Sequence, residues 1–175
     1  GDGSKRQLYL GVLKAMDAQF APLFQFIRDD PELRRNTFII VSSDNGPEPG
    51  AGLATPFRGT KGSLFEGGIR SPFIVWAPGF QPQKIAGRIN EQTVMVAMDF
   101  LPSVVSLAGA ELPQNEKFDG RDMSRAWLGR SAQTTPRQLF WSRPPDRAGL
   151  NGETWPDLAT RLGNWKLLLM HDGSD

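Results

Sequence analysis

Asp44 and Asn45 stand side by side after an apolar run, and Lys61 follows within Arg58-Gly-Thr-Lys61-Gly-Ser-Leu-Phe-Glu66-Gly67-Gly68-Ile-Arg70. A carboxylate and a carboxamide both offer hard oxygens of the kind calcium accepts. Two ligands are few for an ion that takes about six to eight oxygens, so the rest must come from elsewhere. Lys61 carries a compact charge able to meet a sulfate or phosphate group. The glycines allow backbone N–H groups to approach anionic oxygens closely. Each feature also has a plainer reading. Asp-Asn-Gly is ordinary turn chemistry, and Arg58 could face substrate or solvent. Glu66 could orient Lys61 or Arg70, or accept backbone amides of the glycine turn. Structural support suits Glu66 better than catalysis, because no second carboxylate in this loop completes an acid–base pair.

Two strands must hold these residues. Residues 37–41 (TFIIV) form a β-branched, aromatic run, the pattern of a strand covered on both faces in a parallel sheet. Asn45-Gly46-Pro47 ends it, which puts Asp44 and Asn45 beyond a strand's carboxyl end, where open α/β sheets bind ligands. A second apolar strand is expected over residues 72–76, and the Gly/Pro-rich segment 46–62 between them has the length of a binding loop. Upstream, Ser4 is a candidate N-cap. Leu8, Val12, Met16, Phe20, Leu23 and Ile27 follow as one buried helical stripe, which Pro22 should kink or split. Asp30-Pro31 ends that helix, and residues 32–35 form a short link. Downstream, Asp99 reads as the N-cap of a helix with Pro102 in its first turn and Gly109 at its close. Asp119 and Asp122 read as turn and cap residues near a short helix at 124–128. Residues 138–141 read as a strand, and 158–162 and 165–170 flank Gly163-Asn164 as a hairpin.

Taken together, Ser43-Asp44-Asn45-Gly46 and Arg58-Gly-x-Lys61-Gly-x-x-x-Glu66-Gly67-Gly68-x-Arg70-x-Pro72 resemble the second half of the sulfatase family, within the alkaline-phosphatase-like superfamily. Phe118-Asp119-Gly120-Arg121-Asp122 and Gly163-Asn164-Trp165-Lys166-Leu167 resemble later blocks of that family. The resemblance implies an α/β, partial alkaline-phosphatase-like fold, a mixed sheet flanked by helices. Residues 1–135 would be the C-terminal part of the α/β domain, and 136–175 the start of a small antiparallel C-terminal subdomain. It implies that Asp44 and Asn45 ligate a divalent cation, usually Ca2+. Lys61 would contact the sulfate and stabilise the leaving oxygen, and the sole histidine, His171, becomes a candidate substrate contact beside Arg58 (its plainer reading is a solvated turn residue). Family members attack sulfur with a formylglycine hydrate made from Cys or Ser in Cys/Ser-x-Pro-x-Arg. This chain has no Cys, and its nearest Ser match, Ser142-Arg-Pro144-Pro-Asp146, carries Asp where Arg is required. That match also lies downstream of Asp44, whereas the family's motif lies upstream. The expectation is therefore a C-terminal portion of a sulfatase, with formylglycine in an upstream part and no turnover by this chain alone.

At 175 residues, with 39% apolar and 22% charged residues, the chain has the composition of an ordinary globular domain with a core of its own. A net charge of +1 gives no field that would favour nucleic acid or an acidic membrane surface. No apolar run approaches a membrane span, and Gly-Asp-Gly-Ser-Lys-Arg at the start has no signal-peptide pattern. The family resemblance implies a parent that is exported: periplasmic, secreted or lysosomal. The expected partner is a sulfated small molecule or glycan, with neither nucleic acid nor membrane. Without the upstream half of its sheet the chain should expose an edge and an apolar face, so self-association or pairing with the N-terminal part is expected. Two other functions stay open: a phosphate or phosphonate ester hydrolase of the same superfamily, and a non-catalytic module that binds an anion or glycan.

Overall fold

The computed structural model describes residues 3–131, 135–144, 149 and 152–170. His171 and Asp146 lie outside the described residues. Two units divide the chain: Gly1–Gln25, Val41–Ile74 and Pro136–Asp175 form one, and Phe26–Ile40 and Val75–Thr135 the other.

Helix α1, Lys5–Asp29, starts where expected, with the Ser4 hydroxyl accepting the Gln7 N–H at 3.3 Å. It runs undivided through Pro22, since one forfeited N–H does not outweigh the turns on either side. Its apolar stripe is not buried: no α1 residue is, and Leu8 and Val12 are 65% and 68% exposed. The short link expected after Asp30 is instead a second helix, α2, Pro31–Asn36. The Asp30 carboxylate accepts the Glu32 and Leu33 N–H groups at 2.8 and 2.9 Å, Pro31 opens the helix, and Arg34 and Arg35 occupy its last turn.

Strands β1, Ile39–Ser42, and β2, Phe73–Trp76, form a two-stranded sheet. The expected double coverage is absent among the described residues. Ile39 and Ile40 are half-buried, Val41 and Ser42 are exposed, and Ile74 is 59% exposed. Between the strands the glycine-rich loop contains a one-turn helix, α3, Glu66–Ile69.

In the second unit, α4 is Phe100–Leu107 and α5 is Ser124–Trp127. Asp99 stands at the N-cap of α4, yet its side chain makes no capping bond. The carboxylate, 1% exposed, instead accepts the N–H of Val96 at 3.0 Å and of Arg121 at 2.8 Å. It holds together two loop segments, which corrects the cap reading and leaves it structural. Ser103 extends the link, donating to the Asp99 carbonyl and accepting the Met123 N–H. Asp122 does act near a helix start, its Oδ1 accepting the Ser124 N–H at 2.8 Å. Burial pushes its carboxyl up, but hydrogen bonds from Ser124 and Ser106 outweigh this and hold it below the usual carboxylate range.

The last sheet is antiparallel, ordered β3 (Gln138–Ser142), β4 (Leu158–Leu162), β5 (Trp165–Leu169). Leu162 pairs with Trp165 across Gly163-Asn164, and Gly163 has the positive φ of 58° that a two-residue hairpin turn demands. Alternation sorts the faces: Leu139 and Ala159 are buried, while Phe140 and Leu167 on the opposite face are 68% and 66% exposed. Helices with a two-stranded sheet and a three-stranded antiparallel sheet give the α/β class expected. Replacing Asp99 by Ala would leave two part-buried N–H donors without their acceptor, so Asp99→Ala should lower unfolding stability by about 2 kcal/mol in chemical denaturation, and Asp99→Asn by less.

Candidate functional site

Every described candidate residue lies in the first unit. Beyond β1 the chain bends at Asp44, Asn45 and Gly46. The Ser43 hydroxyl donates to the Asn45 carbonyl at 2.8 Å, and the Ser42 hydroxyl to the Pro72 carbonyl at 2.9 Å. Asp44 is exposed, Asn45 half-buried and Gly46 buried. The Gly46 N–H donates to the Gly68 carbonyl at 2.8 Å. A Cβ at Gly46 would sit 1.9 Å from the Gly67 carbonyl oxygen, so backbone meets backbone where no side chain fits. The same crowding recurs at Gly67, whose Cβ would meet the Gly59 and Arg58 carbonyl oxygens at 2.3 and 2.6 Å.

Two more bonds bring in the lysine segment. The Gly67 N–H donates to the Arg58 carbonyl at 2.7 Å, and the Lys61 N–H to the Pro47 carbonyl at 3.0 Å. The backbone of Lys61 is thereby fixed two residues beyond Asn45. Its side chain is 55% exposed, and its ammonium lies 3.9 Å from Glu48, whose other oxygen is held by Lys5 at 3.1 Å. Beside it the Thr60 hydroxyl is buried with no hydrogen-bond partner among the described residues. Arg58 is exposed, with its guanidinium 4.0 Å above the centroid of the Phe65 ring.

Glu66 neither orients Lys61 nor stands alone. Its carboxylate takes Lys166 at 2.8 Å, with Arg161 and Arg70 each at 3.8 Å. Residues 100 apart in sequence meet here. The signal available in the sequence was Lys166 itself, a charge on the inward face of the alternating strand Trp165–Leu169. Ser142 lies exposed at the end of β3, and Arg143 after it is buried against Asp157 at 2.9 Å, a structural ion pair. Asp44 and Asn45 supply one carboxylate and one carboxamide, and no cluster of three His, Cys, Asp or Glu side chains exists among the described residues. Both groups are oxygen donors of the kind a divalent cation accepts, and two are too few to complete its shell.

A family model described as Sulfatase matches residues 2–110, well over half of the chain. The chain belongs to the sulfatase family. It is 31% identical to arylsulfatase G of Mus musculus, an alignment covering 97% of this chain and 33% of that protein. It is 34% identical to N-acetylgalactosamine-6-sulfatase of Canis lupus familiaris, covering 93% and 29%. The crystal structure of Ps i-CgsB in complex with k-i-k-neocarrahexaose superposes with a TM-score of 0.78 at 28% identity, over 95% of this chain and 35% of that one. The chain thus spans about a third of the sulfatases it matches, and the fold is the alkaline-phosphatase-like fold of that family. Asp44, Asn45, Arg58, Lys61 and Glu66 all fall within the sulfatase match, whereas Arg161 and Lys166 lie beyond it. Gly46→Ala should cost more than about 2 kcal/mol, since the new Cβ meets rigid backbone rather than a mobile side chain. Denaturant midpoints of the two proteins would measure the loss.

Proposed function

We propose that this sulfatase hydrolyses sulfate esters, aryl sulfates or sulfated glycans, and that residues 44–70 bind the sulfate beside a divalent metal. The observation that carries the reading is the backbone bond from Lys61 to Pro47, which ties the segment bearing the cation to the segment bearing Asp44 and Asn45. A sulfate ester is anionic and repels nucleophiles until cations offset its charge. Lys61 suits that task, because its contact with Glu48 is loose and exposed, and such pairs are worth about 0–1 kcal/mol. An arriving anion can therefore take the ammonium at little cost. Asp44 and Asn45 would hold the metal, Ca2+ in this reading, which when bound would polarise sulfate oxygens. Arg58 is close enough in sequence to Lys61 to join substrate contacts if it leaves the Phe65 ring.

Support for the substrate class comes from the relatives: two are named as an arylsulfatase and an aminosugar sulfatase, and the structural neighbour carries a bound glycan. The phosphate-ester and binding-module alternatives have no comparable support.

Inorganic sulfate should raise the melting temperature of the 175-residue chain, by about 1.4 kcal/mol of stabilisation at ten times its dissociation constant. Lys61→Ala should abolish that response and leave the calcium response, and Asp44→Ala should do the reverse. The chain alone should not turn over an aryl sulfate, since it offers no Cys, and no Ser in the formylglycine pattern. Metal-dependent turnover by the purified chain would contradict this division of labour. The open apolar faces of α1 and of β3–β5 favour pairing with the N-terminal part of a sulfatase, or self-association. Light scattering should therefore show species larger than a monomer, and a clean monomer would count against it.

A further inference from the structure

We propose that Lys166 and Arg161 are positioning residues for the anion site, clamping through Glu66 the loop that carries Lys61. The proposal rests on the sulfate-binding reading above and names residues outside its motif. Arg161 and Lys166 are direct cross-strand partners in the β4–β5 register. Like charges in that position repel, so this hairpin is destabilised unless an anion lies between them. Glu66 is that anion: its carboxylate meets Lys166 at 2.8 Å and Arg161 at 3.8 Å. The Lys166 side chain is 14% exposed and its ammonium lies 5.5 Å from the centroid of the Trp141 ring, which makes it more than a solvated surface pair.

Glu66 opens α3, and the two residues after it make the contacts that shape the site. Gly67 donates to Arg58, in the lysine segment, and Gly68 accepts from Gly46, directly after Asn45. A second contact reinforces the first, because Trp155 packs beside Gly62, its Cζ3 3.5 Å from where a Cβ would be. The segment that leads into β4 thus bears on the turn that presents Lys61. A site held this way loses affinity when its support loosens, even though the supporting residues never touch the ligand.

The test uses amide hydrogen exchange and inorganic sulfate titration on the 175-residue chain, in wild type, Lys166→Met, Arg161→Met and Lys166→Arg. The amides of Gly46, Lys61 and Gly67 report the clamp, and those of Ala108 and Leu128 in the other unit are controls. Lys166→Met should speed exchange at the three reporters by about tenfold, leave the controls unchanged and weaken sulfate binding several-fold. Lys166→Arg should restore both. Arg161→Met should act in the same direction and serves if Lys166→Met does not fold. Unchanged reporter exchange, or equal acceleration at the controls, would overturn the clamp. Failure of wild type to bind sulfate, with reporters still responding, would instead overturn the anion-site reading.

Discussion

Backbone pressed against backbone at glycine is the constraint on which the site depends. Gly46 and the Gly67–Gly68 pair approach so closely that a single methylene at Gly46 would overlap a carbonyl oxygen. Only that proximity allows the Gly46 N–H to reach Gly68 and the Gly67 N–H to reach Arg58. Hydrogen bonds between buried backbone groups are modest as net gains but costly to leave unmade. Once the segments meet, each bond therefore requires the others. The exposed side chains of Asp44 and Lys61 are carried on a backbone that is itself over-determined.

Charges around this knot fall into two kinds. Glu66, Lys166 and Arg161 are partly or largely withdrawn from solvent and engaged with one another, as are Arg143 and Asp157. Removing one partner of such a set leaves the other uncompensated, so these groups hold shape. Lys61 and Asp44 are exposed, and among the described residues the carboxylate paired with Lys61 is the distant, shared one of Glu48. A charge that is poorly satisfied within the protein is the one free to satisfy a ligand. The same loop thus separates its fixed charges from its exposed ones.

Much of this could be read from the residues. The apolar run into Ser-Asp-Asn-Gly placed the Asp-Asn pair at a strand end, the glycine spacing announced close backbone approach, and Gly163-Asn164 announced the hairpin. Pairings distant in sequence could not be read, because nothing in residues 58–70 says which strand their carboxylate meets. The helix period in α1 was legible but its burial was not, since periodicity reports which residues share a face and is silent on what covers it. Asp99 misled for a related reason: a carboxylate before a helix suits a cap, and only three-dimensional packing brings the Arg121 N–H to it. At Asp30 the local signal was complete, an Asp before Pro-Glu with two arginines closing the turn, and the short link is helical for that reason.

Binding a sulfate and attacking it make different demands on a protein. Holding an anion requires donors and a cation fixed before the ligand arrives, and hydrogen-bonded backbone supplies that rigidity without any reactive group. Attack requires a nucleophile aimed at sulfur, and neither exposed Ser142 nor the ion-paired Arg143 beside it is arranged for that. In the proposed reading, the first demand accounts for the segments that bear Asp44, Asn45 and Lys61 being tied together by carbonyls and amides. On that proposal Lys61 would exchange Glu48 for an incoming anion while its own peptide stays bonded to Pro47, so charge would be redistributed at the site without the loop being rebuilt.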